Sequence, residues 1–134
     1  MVNILAVVVA SVVSMVLGML WYGPFFGKQW MSLMKLTKLD MEKSKKKGMT
    51  TTYILAFLTT FIMSIVLGYL IELTNILSTF GGVVVGSLVW LGFLATTLAG
   101  SVLWENKPWA LYFLNAGHYL LTLVVMGAIL GAWN

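Results

Sequence analysis

The hydrophobic positions of this chain fall into four long, nearly uninterrupted runs. A helix that crosses a bilayer needs about 20 mostly apolar residues, because about 30 Å of hydrocarbon is spanned at about 1.5 Å per residue. Residues 2–22, 52–73, 80–103 and 109–133 meet that length, and none alternates for long as a membrane β-strand would. The pattern therefore predicts an all-α membrane protein with four transmembrane helices, called spans 1 to 4 below.

The composition supports lipid as the main solvent. Of the 134 residues, 60% are apolar and 9% are charged, whereas a soluble domain carries roughly a quarter charged residues. This length allows one compact unit, so residues 1–134 are predicted to form a single four-helix transmembrane domain. The chain has no cysteine, which excludes disulfides, thiolate nucleophiles and cysteine-based metal sites.

Lysine is unevenly distributed between the loops. Seven of the eight lysines lie between positions 28 and 47, and Lys107 lies in the short connection between spans 3 and 4. Short loops rich in lysine stay in the cytoplasm. We therefore predict that both connections are cytoplasmic, that both termini are outside (N-out/C-out), and that the protein lies in the cell (inner) membrane. Charge confined to one loop indicates topology rather than nucleic-acid binding.

Several residues mark the predicted ends of the spans. Gly23-Pro24 is predicted to end or kink span 1, because proline lacks an N–H and clashes with the preceding turn. Asn106 is predicted to cap span 4, with Pro108 in its first turn. Amphipathic aromatic rings favour the membrane interface, and five lie at span ends: Trp21, Tyr22, Trp104, Trp109 and Trp133. Trp90, deep in span 3, is the exception.

The segment between spans 1 and 2 is predicted to be an amphipathic cytoplasmic helix over residues 27–42 that lies in the interface. Alternatively, Thr37 and Asp40 form a capping box, and a second short helix ends near Gly48. The segment could bind anionic lipid or a partner through these residues: Trp30, Lys43, Lys45, Lys46 and Lys47. The lysines could equally serve only as a topology anchor.

Spans 1 and 2 share a short motif fifty positions apart, Ser-x-Val-Leu-Gly-x-Leu. Small residues at every fourth position let a neighbouring helix approach closely. We predict that these spans pack on each other through Ser14, Gly18, Ser64 and Gly68. The match could reflect an inverted repeat or convergence on a packing face. Similar glycine spacing in span 3 suits a helix with two neighbours or a homo-oligomer contact.

The candidate chemistry lies in span 4. Asn115, His118 and Thr122 share one helix face, and His118 is about 15 Å from the predicted cytoplasmic end, close to the bilayer midplane. Such a polar stripe could line a path for a proton, ion or small solute, since imidazole titrates near neutral pH. It could instead hold helices together by hydrogen bonds.

One segment resembles a known family. Leu17-Gly18-Met19-Leu20-Trp21-Tyr22-Gly23-Pro24, followed by Phe26-Gly27-Lys28-Gln29-Trp30, is similar to a bacterial family of small four-span membrane proteins catalogued as domain of unknown function 1761. The resemblance covers essentially the whole chain and extends to the closing residues 126–133. It implies a single-domain helical membrane protein and supplies no established activity or catalytic residues.

Two functions are consistent with these features. The first is an oligomeric channel or a transporter of a small solute or ion. The second is a structural or accessory membrane protein that binds a partner or anionic lipid through its basic loop. An enzyme is not expected, because the sequence shows no paired nucleophile and base, no phosphate-binding loop and no histidine-rich metal spacing. No cofactor and no metal are predicted, and membrane lipids are the expected partners.

Overall fold

The four predicted spans are present as helices. The structure is a computed structural model that describes residues 2–133, so the two terminal residues of the predicted 1–134 domain lie outside it. Within residues 2–133 the regular structure is helical and contains no β-strand. Four stretches are long and apolar enough to cross a membrane: Ile4–Phe25, Thr50–Thr74, Thr79–Leu103 and Trp109–Ala132. The prediction of an all-α chain with four such helices is confirmed, and the fold is consistent with a multi-pass membrane protein.

Two spans contain a widened π turn. The elements are α1 (Ile4–Leu20), a first π segment (Trp21–Phe25), α2 (Gly27–Leu33), α3 (Lys38–Lys47), α4 (Thr50–Thr74), α5 (Thr79–Val89), a second π segment (Trp90–Ala95), α6 (Thr96–Leu98), α7 (Gly100–Leu103) and α8 (Trp109–Ala132). Pro24 lies inside the first π segment. Because proline has no N–H to continue the α pattern, the helix widens there and continues to Phe25. Gly23-Pro24 therefore widens the last turn of span 1, which ends one residue later at Phe25.

The connection between spans 3 and 4 differs from the sequence prediction. Helix α8 begins at Trp109, and Pro108 occupies the capping position with extended backbone. Asn106 has a φ of 57°, the left-handed conformation that asparagine tolerates better than most residues. The prediction that Asn106 caps span 4 is wrong, because this residue turns the chain two positions earlier.

The basic loop forms two helices, α2 and α3, separated by a break at residues 34–37. The alternative prediction of a capping box is confirmed: the Thr37 hydroxyl accepts from the Asp40 N–H at 3.1 Å, and an Asp40 carboxylate oxygen accepts from the Thr37 N–H at 2.9 Å. The hydrogen bond from the Thr37 backbone N–H to the carboxylate, and after it a contribution from the Thr37 side chain, lower the pKa of Asp40. Helix α3 ends at Gly48, whose φ of 86° suits glycine.

Spans 3 and 4 pack closely enough for their backbones to touch. A methyl group added at Gly82 would collide with the Gly127 carbonyl, and one added at Gly86 would collide with the Leu123 carbonyl. A methyl group at Gly131 would meet the Ser78 carbonyl. In hydrocarbon, helices associate through van der Waals contact and hydrogen bonds rather than hydrophobic exclusion. These glycines therefore form the tightest seam of the fold.

Spans 1 and 2 pack along only one half of their length. Ser64 is fully buried, and its hydroxyl donates across the interface to the Val7 carbonyl at 3.2 Å. The buried residues of span 2 all lie at or after Ser64, and those of span 1 lie at or before Ser14. Because the two helices are antiparallel, both buried halves lie at the same end, away from the lysine-bearing loop.

Spans 1 and 2 diverge at the end that carries the lysine-rich loop between them, which we call the lysine end. The first ten residues of span 2 are mostly exposed. A methyl group at Gly18 would meet His118 Nε2 at 3.4 Å, and one at Gly68 would meet Val2 at 3.1 Å and Leu130 at 3.5 Å. Gly18 therefore faces span 4. Gly68 faces both span 4 and Val2, which lies before the start of α1. The small-residue stripe joins spans 1 and 2 at Ser64, which bonds to Val7, but not through a pairing of its glycines.

The glycine seam generates a stability prediction. Gly82→Ala should lower the free energy of unfolding in detergent by about 1–3 kcal/mol, because the added methyl group forces the two backbones apart. Gly92→Ala in the same span is the matched control, since a methyl group there meets nothing within 4 Å. Unfolding can be followed by tryptophan fluorescence. Equal stability of the two variants would contradict the close backbone contact between spans 3 and 4 at Gly82.

Candidate functional site

The divergence of spans 1 and 2 leaves a cavity of about 790 Å³ between spans 1, 2 and 4. We call it the wedge cavity, and these residues line it: Ser14, Met15, Gly18, Met19, Tyr22, Thr52, Tyr53, Ala56, Thr59, Thr60, Met63, His118, Tyr119 and Thr122. Thr52 and Tyr53 are exposed at the lysine end of span 2. The cavity therefore runs from the lysine end of the helices to the middle of the spans.

The far end of the wedge cavity is closed by tightly packed side chains. The core residues Val7, Ile71, Leu123 and Met126 are almost completely inaccessible, as are Ser11 and Ser64. Ser11 and Ser14 each donate their hydroxyl to a carbonyl one turn back in span 1, at 2.7 Å in both cases. Both serine hydroxyls therefore have a partner, and beyond His118 the packed core residues form a barrier between spans 1, 2 and 4.

His118 lies where the cavity meets this barrier. It is nine residues after Trp109, or about 14 Å along the helix axis, close to the middle of a bilayer about 30 Å thick. The Thr122 hydroxyl donates to the His118 carbonyl at 2.9 Å, and its oxygen lies 3.4 Å from His118 Nε2. When the Thr122 hydroxyl hydrogen is engaged with this carbonyl, its oxygen can accept from Nε2, and this pairing corresponds to the tautomer with the imidazole hydrogen on Nε2.

The other ring nitrogen of His118 has no partner. Among residues 2–133, Nδ1 of His118 is the buried side-chain polar atom without a hydrogen bond. With the hydrogen on Nε2, this atom is an acceptor lone pair, and leaving a buried acceptor unsatisfied costs about 1–3 kcal/mol. Such an atom in a native structure calls for an explanation, and a hydrogen bond to water or to a ligand is one.

Tyr22 connects the members of the predicted polar stripe. Its hydroxyl donates to Asn115 Oδ1 at 2.6 Å, and its ring packs edge-on against His118 with centroids 5.0 Å apart. Thr122 contacts His118 on the other side, one turn along α8. The structure thus brings Asn115, His118 and Thr122 into one continuous polar and aromatic cluster, which we call the Tyr22–His118 cluster.

Two tryptophans hold span 4 at the level of this cluster. The Trp21 indole N–H donates to the Leu114 carbonyl at 3.1 Å, and the Trp90 indole N–H donates to the Ala116 carbonyl at 2.8 Å. Each tryptophan is the first residue of one of the two π segments. π turns occur frequently at functional sites, and here the two indoles bond to carbonyls two residues apart in the same helix.

A second, smaller cavity of about 490 Å³ lies on the other side of the cluster. Tyr22, Trp30, Leu98, Asn115 and Tyr119 line it. Tyr22 and Tyr119 belong to the walls of both cavities, so these two rings lie between them. Trp30 is half-buried and its ring contacts Tyr22 edge-on, with centroids 5.6 Å apart.

The lysines of the loop lie apart from the cavities. Lys43, Lys45, Lys46 and Lys47 are all exposed on α3, while Trp30 belongs to α2 and packs on Tyr22. Trp30 and these four lysines, which were predicted to contact lipid or a partner, therefore do not form one surface. Among residues 2–133 there is no group of three or more His, Asp or Glu side chains that could hold a metal ion.

Sequence reasoning missed Tyr22 and Trp21 as members of the site. Both were assigned to the membrane interface because aromatic rings at span ends usually lie there. The signal that could have placed them inside is Pro24, since a proline within a helix changes the direction of the residues around it. Trp90, the exception among the aromatic residues at span ends, bonds to the Ala116 carbonyl.

The comparison with protein families identifies one match. A family described as protein of unknown function (DUF1761) matches residues 5–131, which confirms the resemblance inferred from the Gly-x-x-Trp-Tyr-Gly-Pro segment. No curated protein and no solved structure matches the chain.

The Tyr22–Asn115 hydrogen bond can be tested by a double-mutant cycle. Tyr22→Phe should lower the free energy of unfolding by about 0.5–1.5 kcal/mol, and Asn115→Leu should add little once Tyr22 has been changed, because both variants remove the same bond. Tyr69→Phe is the control, since Tyr69 is exposed on span 2 outside both cavities. Purely additive effects, measured by tryptophan fluorescence in detergent, would mean that the bond does not couple the two helices.

Proposed function

We propose that this chain, which belongs to the DUF1761 family of proteins of unknown function, is a membrane transporter that carries a small solute through the wedge cavity. The observation that carries the proposal is the shape of the cavity. It is open at the lysine end, reaches His118 at mid-span, and is closed beyond it by the core. A cavity that reaches mid-span from one side of the membrane and is closed beyond that depth is what one state of an alternating-access transporter presents.

The closed half favours a transporter over a channel. A channel needs a continuous path, and here Val7, Leu123 and Met126 fill the space beyond His118. Transport would require spans 1 and 2 to close together at the lysine end while the Ser64–Val7 contact opens at the other. That contact is a single interhelical hydrogen bond at 3.2 Å, and such bonds in membranes are worth only about 0.6 kcal/mol on average.

The Tyr22–His118 cluster has a role in this proposal. Tyr22 and Tyr119 separate the wedge cavity from the second cavity, and the bond to Asn115 holds the Tyr22 ring in place. A solute in the wedge cavity would contact this ring and the edge of the His118 imidazole that lies beside Thr122. A bound solute that displaces the Tyr22 hydroxyl from Asn115 would break this hydrogen bond and so change the contact between spans 1 and 4.

The alternating movement can be tested with single cysteines, since the chain has none of its own. In proteoliposomes, Thr59→Cys should react with a membrane-impermeant thiol reagent added on the lysine side. Ser11→Cys, in the barrier, should react slowly with reagent added on the opposite side, because the barrier must open during transport. Val8→Cys, one turn away on the lipid-facing side, should react from neither. Failure of Ser11→Cys to react over hours would refute alternating access.

The orientation is part of the same proposal, with both lysine-bearing connections in the cytoplasm. In intact cells, Asn75→Cys in the connection between spans 2 and 3 should react with an impermeant maleimide. Lys45→Cys should react only after the cells are permeabilised. The reverse pattern would place the wedge cavity open to the outside.

A second function is favoured by the exposure of α3. Its four clustered lysines lie in the last turns of a helix that begins with a capping box, so the basic surface is preformed. Lysines near an anionic surface contribute about 1 kcal/mol each. If the protein is an accessory subunit, replacing Lys43, Lys45, Lys46 and Lys47 by Gln should remove a co-purifying lipid or partner, whereas the cysteine accessibilities above should show no movement.

A further inference from the structure

The hydroxyl groups deep in the wedge cavity point to the charge of its ligand. Four of them donate their hydrogen to a carbonyl of their own helix at 2.7–2.9 Å, those of Ser14, Thr59, Thr60 and Thr122. A hydroxyl whose hydrogen is engaged still has a free lone pair. These groups therefore offer the cavity acceptors rather than donors.

The remaining lining adds further electron-rich groups. Met15, Met19 and Met63 contribute thioether sulfurs, which are soft, polarizable, weak acceptors. Tyr22, Tyr53 and Tyr119 contribute aromatic rings, whose faces attract cations and repel anions. No lysine, arginine, aspartate or glutamate is among the residues that line the cavity. The imidazole of His118 also lines it and directs Nε2 towards Thr122, so with a neutral His118 the lining carries no positive charge that would bind an anion.

The volume of the cavity selects an organic ligand over a bare ion. Sites for drug-sized molecules enclose about 300–1,000 Å³, and the wedge cavity, at about 790 Å³, lies in that range. An inorganic cation needs its ligands within about 2–2.6 Å on several sides at once. A space this large, lined mainly by apolar atoms, instead suits a ligand with an apolar body.

We propose that the wedge cavity binds a lipophilic organic cation, an ammonium or phosphonium centre that carries apolar groups. This inference rests on the proposed transport function and names the class of its solute. The positive centre lies against the tyrosine rings and the hydroxyl lone pairs, and the apolar groups lie against the methionines. The absence of a carboxylate in the lining means that the cation is held by cation–π attraction rather than by an ion pair.

Two probes of equal size and opposite charge test the proposal. Tetraphenylphosphonium and tetraphenylborate have the same shape, so a difference in binding to the purified protein in detergent measures the charge preference. Tetraphenylphosphonium should bind saturably and on the order of tenfold more tightly than the borate, as a desolvated cation–π contact would give. Tyr119→Leu should weaken the phosphonium several-fold, whereas Tyr69→Leu, outside the cavity, should leave binding unchanged.

A charge-reversal variant separates a folding defect from a loss of the site. Thr60→Lys places an ammonium in the cavity, so it should abolish phosphonium binding and create binding of the borate. Equal affinity of the wild type for both probes, or unsaturable uptake of both as by a lipid-filled groove, would overturn the proposal.

The binding experiment and the cysteine-reactivity experiment can fail independently of each other. Phosphonium binding without movement of Ser11→Cys would leave the ligand class standing and refute transport. Movement without any preference for the phosphonium would leave transport standing and refute the ligand class.

Discussion

Backbone contact between helices is the constraint from which the rest of this structure follows. Lipid tails are as apolar as leucine, so helices in a membrane gain little from burying apolar side chains and associate where small residues allow close approach. The Gly82–Gly127 seam provides such contact along spans 3 and 4. Spans 1 and 2 have it only around Ser64 and Val7, and they diverge where it ends.

The site is a consequence of that uneven packing. Where the small-residue contact stops, Gly18 leaves room for the imidazole of His118, and the gap between the diverging helices becomes the wedge cavity. The two π segments then complete the site by directing Trp21 and Trp90 onto neighbouring carbonyls of span 4. One helix thus receives hydrogen bonds from both flanking spans at the depth of its single histidine.

The sequence predicted well what depends on local pattern. Span length, the capping box at Thr37 and the end of α3 at Gly48 follow from hydropathy and from capping chemistry that acts over a few residues. The polar stripe of span 4 was visible for the same reason.

The sequence could not predict the features that depend on how helices meet in space. The small-residue spacing of Gly18 and Gly68 resembles that of Ser14 and Ser64, but antiparallel packing places the two glycines at different depths of span 4, beside His118 and beside Leu130. The inward direction of Tyr22 depends on a π turn that hydropathy does not encode. The Tyr22–Asn115 bond joins residues 93 positions apart, beyond the reach of any local motif.

Nitrogen NMR of the histidine tests the central claim most directly, since His118 is the one histidine of the chain and its two ring nitrogens give an unambiguous spectrum. The Thr122–Nε2 pairing predicts an unprotonated Nδ1 and a protonated Nε2, and a cavity that reaches His118 predicts magnetisation transfer from water to the ring in the folded protein. A protonated Nδ1, or a ring that shows contact only with acyl chains and protein, would contradict it.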